Sequence, residues 1–331
     1  MITTDNVGLT FTSPSVTNVV VDNTPPTVSL ALANGPTGAY LSAGKVYFKA
    51  SAVGSFALVA TVADAGSGSA SATFPILSAA GWTTHNAETD TTPAGGPYAS
   101  SVVVWGSGAS APAAYTITAA DRAGNAATSS ISFTIDNTAP TGAVTAPVGA
   151  ANVRGSVAVT SNSADAGSGV ASAQFQVSPA GAGAWSNIGV ADTTSPYATT
   201  WDTTAFTDGL YDLRVITTDN MGTAFTSATI ANVRVDNTAP SGSVTAPAAS
   251  ATIKGTFIIT SDSADAGSGV ANALFQRSPA GSNTWTNVAA ADATSPYSAS
   301  WVTTGVSDGL YDLQVITTDK SGNTLTSALI T

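Results

Sequence analysis

Apolar residues in this chain recur at every second position, in runs too short for helices. Val157 and Val159 alternate with small neighbours, as do Ala173 and Phe175, then Tyr197, Thr199 and Trp201, then Tyr211, Leu213 and Val215. A period of two buries one face of a strand and leaves the other to solvent. Gly, Pro, Asn and Asp separate the runs, and roughly seven such strands fit into each hundred residues, which predicts an all-β chain of two-sheet sandwiches. The first of these runs recurs one hundred residues on as Phe257 and Ile259, so the pattern is also a repeat.

One short stretch punctuates the repeat: Val21 to Pro26, Ile135 to Pro140 and Val235 to Pro240 each read Val/Ile-Asp-Asn-Thr-Ala/Pro-Pro. Each copy ends an alternating run with an Asx-Thr turn signal and a proline that cannot continue a ladder, so it reads as a last strand leaving its domain. Four segments follow. Residues 1–24 match Val215 to Thr238 without gaps and represent only the last hairpin of a repeat. Residues 25–138 form a divergent domain with 13 extra residues around Tyr40 to Phe56, predicted as an added hairpin on the same core. Residues 139–238 and 239–331 are a matched pair, identical at more than half of their aligned positions, the second lacking the end of its last strand. These ends fit either a piece of a longer array or a subunit whose leading strand completes the next copy, giving a head-to-tail filament.

Composition narrows the class. Only 9% of the 331 residues are charged, the net charge is −11, and 19 of the 20 acidic residues are Asp. That balance disfavours nucleic acid and anionic membranes as partners. Cysteine is absent, no apolar run approaches a membrane span, and the N-terminus lacks signal-peptide features, so an export signal would lie outside these residues. Asp in place of Glu points to loops, where a short carboxylate bonds its own backbone or holds a cation.

Sandwich topology places an incoming linker at the same end as two loops of the next domain. Those loops are Ala-Asp-Ala-Gly-Ser-Gly (Asp64, Asp165, Asp265) and Thr/Ala-Asp-x-x-Gly (Asp121, Asp219, Asp319), and the linkers supply Asp22-Asn23, Asp136-Asn137 and Asp236-Asn237. Three carboxylates would then meet at each of three joints, with Arg122 and Lys320 adjacent only to single copies. A hard cation relieves such crowding, and carboxylate, Asn amide and turn carbonyl oxygens suit calcium better than zinc. Alternatively, each Asp caps its own loop in an Asx turn.

The segments Asp-Arg-Ala-Gly-Asn (121–125) and Asp-Lys-Ser-Gly-Asn (319–323), together with the Ile/Val-Asp-Asn-Thr-Ala-Pro linker, resemble the bacterial Ig-like repeats of large cell-surface and adhesin-type proteins. The resemblance implies tandem immunoglobulin-like β-sandwich repeats in an elongated array, extracellular or on the cell surface, with calcium at the joints. It implies neighbouring repeats or further copies as partners, and a cell-surface or glycan ligand. Asp219 to Thr223 and Asp5 to Leu9 lack the motif's final Asn.

Remaining candidates are weaker. Tyr211 and Tyr311 follow an Asp-Gly-Leu turn, as the tyrosine corner of Ig-like sandwiches does, and Tyr115 holds that place in the divergent domain. Their hydroxyls are predicted to bond back to the connecting loop. His85 is the sole histidine, with Glu88 and Asp90 nearby; no nucleophile motif accompanies it, and the chain reads as non-enzymatic. Trp185, Trp201, Trp285 and Trp301 recur in register, which favours core packing over the sugar-stacking platform of a carbohydrate-binding module.

Overall fold

A computed structural model describes residues 1–33 and 35–330; Thr331, the last position of the final repeat, lies outside the described residues. The described residues form strands, with two three-residue 3-10 turns, and divide into two compact units. One comprises Met1–Thr138 with Ala166–Gly169 and Asn220–Thr223, and the other comprises the remaining segments from Ala139 onward.

In the first unit, a six-stranded sheet runs in the order Ala39–Ser42, Lys45–Phe48, Ala126–Ile135, Tyr115–Asp121, Ser69–Phe74 and Glu88–Asp90. A second sheet pairs Tyr98–Ala99, Leu58–Ala63 and Thr27–Leu32. Alternation decides which side chains enter the core between them: Tyr115, Ile117 and Ala119 are buried while Thr116 and Thr118 are exposed. The 13 additional residues contribute the predicted hairpin, Ala39–Ser42 against Lys45–Phe48, and also the strand Gly54–Phe56. Phe48 and Phe56 are buried, and Phe48 meets Trp82 and Trp105 edge-on at 5.1 and 5.6 Å. Both indoles donate to carbonyls, of Ser110 and Lys49, so this aromatic core leaves neither N–H unsatisfied. Residues 1–24 add only the hairpin Ile2–Thr4 with Thr10–Thr12, exposed on both faces.

The second unit holds two sandwiches. In the first of them, Val144–Ala146, Ser156–Ser161 and Ala198–Asp202 face a sheet ordered Asn152–Val153, Ile230–Val235, Gly209–Asp219, Val170–Pro179 and Ser186–Asn187. Val159, Phe175, Trp201, Tyr211, Leu213, Val215, Val233 and Val235 fill the space between. The other repeats this with Val244–Ala246, Thr256–Ser261 and Ser298–Val302 facing Thr286–Asn287, Val270–Pro279, Tyr311–Asp319 and Thr324–Thr326. Ile259, Phe275, Trp301, Leu313 and Val315 are its core. Each fully buried Phe or Leu contributes about 1.5–3 kcal/mol, and three separate clusters mean that each sandwich is stabilised by its own core.

Candidate metal-binding triads

The loop Ala-Asp-Ala-Gly-Ser-Gly folds around two carboxylates at once. In the final repeat, Gly269 lies in the left-handed region at φ +83°, and its N–H donates to Asp265 Oδ2 at 2.6 Å. That turn points the N–H of Ser268 outward, and it donates to Oδ2 of the linker residue Asp236 at 2.6 Å. Gly267 is flush against the same carboxylate: a Cβ there would sit 2.5 Å from Asp236 Oδ2. Asp319 closes the strand Tyr311–Asp319 opposite Val270, and accepts from Asn323 N at 2.8 Å and Asn323 Nδ2 at 2.7 Å.

Asp236, Asp265 and Asp319 thus each offer an oxygen within 4.8 Å of the others, with Asp236 and Asp319 buried. The first unit has the same arrangement in Asp22, Asp64 and Asp121. There Gly68 N donates to Asp64 Oδ2 at 2.7 Å, Ser67 N to Asp22 Oδ2 at 2.8 Å, and Asn125 N to Asp121 Oδ1 at 2.8 Å. Asp136 is buried and accepts from Ser168 N at 2.7 Å. Asp165 and Asp219 take the loop and strand-end places in the second unit. The carboxylates cap their loops, and in the two triads described they also converge.

Two of the linker asparagines are bonded away from them. Asn237 Oδ1 accepts from Gly155 N at 2.9 Å and from Thr203 Oγ1 at 3.2 Å, and its amide donates to Thr203 O at 3.1 Å. Asn137 Oδ1 accepts from Ser51 N at 3.0 Å, and Asn23 is exposed. Adjacent side chains on an extended segment point to opposite sides, so an Asp that faces the triad turns its Asn neighbour back into the preceding repeat. The asparagine that serves the triad is the last residue of Asp-x-x-Gly-Asn. Asn323 Nδ2 also donates to Asp236 O at 2.9 Å, and Asn125 Nδ2 to Asp22 O at 3.1 Å, tying linker to loop. The pentapeptide held this signal, and its spacing from the Asp is what identifies it.

No Lys or Arg is ion-paired to these six carboxylates among the described residues, and Arg122 and Lys320 lie against Gly68 and Gly269 instead. Hydrogen bonds from the Ser67 hydroxyl, then from Thr24 N and Ser67 N, hold the Asp22 carboxyl below its ordinary range. The donor set fits a hard cation. Two oxygens each about 2.4 Å from one calcium ion are at most about 4.8 Å apart, and the oxygens of each triad lie within that span.

Elsewhere, His85 Nε2 lies 3.0 Å from Glu88 Oε1 and 2.9 Å from Ser101 Oγ, while its buried Nδ1 has no partner. A Ser-His-acid relay needs the acid on the opposite nitrogen, so these three groups do not form one. Trp201 and Trp301 are core residues as expected, but Trp185 and Trp285 are not: they are half-buried beside the short edge strands, and the Arg214 guanidinium lies 4.2 Å over the Trp185 ring. Tyr211 and Tyr311 donate to Thr207 O and Ser307 O, as a tyrosine corner should. Tyr115 departs from them, donating to Pro75 O at 2.7 Å across the sheet.

Residues 140–215 and 240–315 match the sequence profile of the bacterial Ig domain. These two regions are therefore tandem bacterial Ig-like domains, in keeping with the two β-sandwiches they form. A search of curated proteins gave no match. Among solved structures, fibronectin(III)-like modules of Clostridium thermocellum CbhA share 18% identity over 57% of this chain and 90% of theirs, with TM-score 0.38. Titin domains A168-A170 share 12% over 92% and 96%, with TM-score 0.38. A tetra-tandem repeat from the extending region of a large adhesion protein shares 18% over 99% and 79%, with TM-score 0.26. Among the described residues, no helix is long and apolar enough to cross a membrane.

Proposed function

We propose that this chain is a structural segment of a bacterial surface or extracellular protein, in which calcium bound by Asp triads stiffens the joints between Ig-like repeats. The convergence of Asp236, Asp265 and Asp319, buried or half-buried and without a cationic side chain, is the observation that carries this reading. Each triad takes one carboxylate from the linker and two from the following repeat. A shared ion therefore converts repulsion at the linker into a cross-link, and that fixes the angle at which the repeat leaves it. The same chemistry supports an extracellular setting, because carboxylate sites of this kind fill at roughly 0.1–1 mM calcium, which is met outside a cell and not inside.

Calorimetric titration with calcium chloride, and with magnesium chloride as control, tests the proposal. Calcium heat in the wild-type chain that falls by one site's share in Asp265→Asn is the expected result. No calcium heat at millimolar concentration, or the same heat in Asp265→Asn and wild type, would sink it.

A further inference from the structure

Beside Trp185, the outer face of the sheet carries a row of polar side chains whose hydrogen bonds all run the same way. Asn187, Gln176 and Arg214 stand side by side on three neighbouring strands, Ser186–Asn187, Val170–Pro179 and Gly209–Asp219. Arg214 Nε donates to Gln176 Oε1 at 2.8 Å, and Gln176 Nε2 donates to Asn187 Oδ1 at 2.9 Å. Each amide oxygen of the row therefore already accepts a bond from within the row. Donors are what remain for a ligand: the two terminal nitrogens of Arg214 and the amide nitrogen of Asn187, which is exposed. Bonds aligned in one direction polarise one another and strengthen those donors. Neighbouring strands lie about 4.8 Å apart, so the row is about 10 Å long.

The guanidinium of Arg214 is held in place before any ligand arrives. It lies 4.2 Å over the Trp185 ring, and its Nε is engaged by Gln176. A side chain fixed in this way has less freedom to lose on binding. Among the described residues, no hydrogen bond or ion pair engages its terminal nitrogens. Asp212, two residues away along the same strand, is turned to backbone: its oxygens accept from Gly181 N at 2.8 Å and Asn232 N at 3.0 Å. The final repeat shows the same row without the cation. There Gln314 Nε2 donates to Gln276 Oε1 at 2.8 Å, and Gln276 Nε2 to Asn287 Oδ1 at 2.9 Å. An amide thus holds the row together as well as a guanidinium does, and the charge at Arg214 is free for another role.

We propose that this row binds an acidic polysaccharide in which uronate alternates with neutral sugars. The carboxylate of one uronate sits on the terminal nitrogens of Arg214, and hydroxyl oxygens of the adjoining sugars follow the row toward Asn187. The paired N–H groups of a guanidinium match the two oxygens of a carboxylate. One cation flanked by neutral donors calls for one anion flanked by neutral acceptors, which is the pattern of such a saccharide. A nucleic acid or a polyacidic peptide carries charge on every unit, and a chain of net charge −11 repels it.

The test is an NMR titration of the 331-residue chain with a hyaluronan hexasaccharide in EDTA, following the Arg214 Nε–H signal and the six indole N–H signals. The row does not use the Asp triads, so the calcium reading can fail without affecting this one. Saturable shifts of the Arg214 and Trp185 signals are expected, with affinity lower by about tenfold or more in Arg214→Gln. That substitution places in this row the residue that the final repeat already carries, so the fold should survive it. Arg214→Lys keeps the charge, loses the planar pair of donors and should not restore the affinity. Gln314→Arg should create a second site, read at the Trp285 indole. No shift at millimolar saccharide would overturn the proposal. So would equal affinity in Arg214→Gln, or equal affinity of the wild-type chain for chitohexaose, which lacks the uronate, or for a polyglutamate peptide.

Discussion

The carboxylate of Asp236 rests on the backbone of Gly267 so closely that a methyl group at that glycine would sit 2.5 Å from Oδ2. The same contact recurs between Asp22 and Gly66. The first glycine of Ala-Asp-Ala-Gly-Ser-Gly is therefore required for close approach, and the second, Gly269 at φ +83°, for its backbone conformation. Gly267→Ala should push the linker off the loop and cost about 1–3 kcal/mol, as overpacking does. Thermal unfolding monitored by Trp fluorescence checks it: the expected change is a lower midpoint without loss of β structure by circular dichroism.

Asn323 couples the same parts through hydrogen bonds. Its buried amide spans Asp236 O and Asp319 Oδ2. Asn323→Ala removes a donor to each acceptor and should cost roughly 1–3 kcal/mol, since one acceptor is charged. Asn237→Ala removes bonds only within the preceding repeat, at Gly155 and Thr203. Amide exchange then separates the two: Asn323→Ala should loosen Ser268 N–H, and Asn237→Ala should loosen Gly155 N–H.

Much of this was legible in the sequence because its signals are periodic. A residue on a strand faces inward or outward by parity, so Val233 and Val235, or Tyr115 and Ile117, could be assigned from alternation alone. The convergence of Asp236, Asp265 and Asp319 was legible because each marks a strand end or a Gly turn. Parity also shows why the Asn137 and Asn237 side chains are bonded elsewhere: residues adjacent in an extended linker face opposite sides. What stayed hidden depends on partners distant in sequence. Tyr115 looks like Tyr211 in its own strand, but the first repeat offers it the Pro75 carbonyl, 40 residues away.

Calcium should act on stability through mass action. For a site of about 1 mM affinity, roughly 10 mM free calcium adds about 1.4 kcal/mol per triad. Chemical unfolding midpoints in EDTA and in calcium measure this, and Asp319→Asn should reduce the increment. Sodium chloride at matched ionic strength should not reproduce it, because screening does not supply ligation.

Acid should weaken the repeats through carboxylates outside the triads as well as through Asp22. Asp192 and Asp292 lie below the ordinary value of 3.8, through N–H donors at Ala198 and Thr194, and at Ser298 and Thr294. A depressed folded-state value means that the stabilisation is complete above 3.8 and is lost as pH falls through the folded value. Urea midpoints should therefore fall as the pH drops below about 5 and through the lowered folded-state values. Asp192→Asn should flatten that slope in residues 139–238 and Asp292→Asn in residues 239–331, while neither changes it in the first sandwich.

The two kinds of tyrosine anchor should differ in strength. Tyr211 Oη donates to Thr207 O at 2.9 Å, and Thr207 is exposed, so in Tyr211→Phe water can take the vacated carbonyl. Tyr115 is 3% exposed and donates to Pro75 O at 2.7 Å. Burial, with a smaller contribution from Glu88, pushes its hydroxyl well above the usual phenol range, so it stays protonated and can only donate. Pro75 is half-buried where Thr207 is exposed, so the carbonyl freed in Tyr115→Phe is less open to water. A hydrogen bond is worth about 0.5–1.5 kcal/mol net, with roughly 1–3 kcal/mol lost when a buried partner is left unpaired. Tyr211→Phe should fall at the bottom of the first range and Tyr115→Phe in the second. Equal losses in the two variants by urea unfolding would mean that Pro75 O finds water as readily as Thr207 O does.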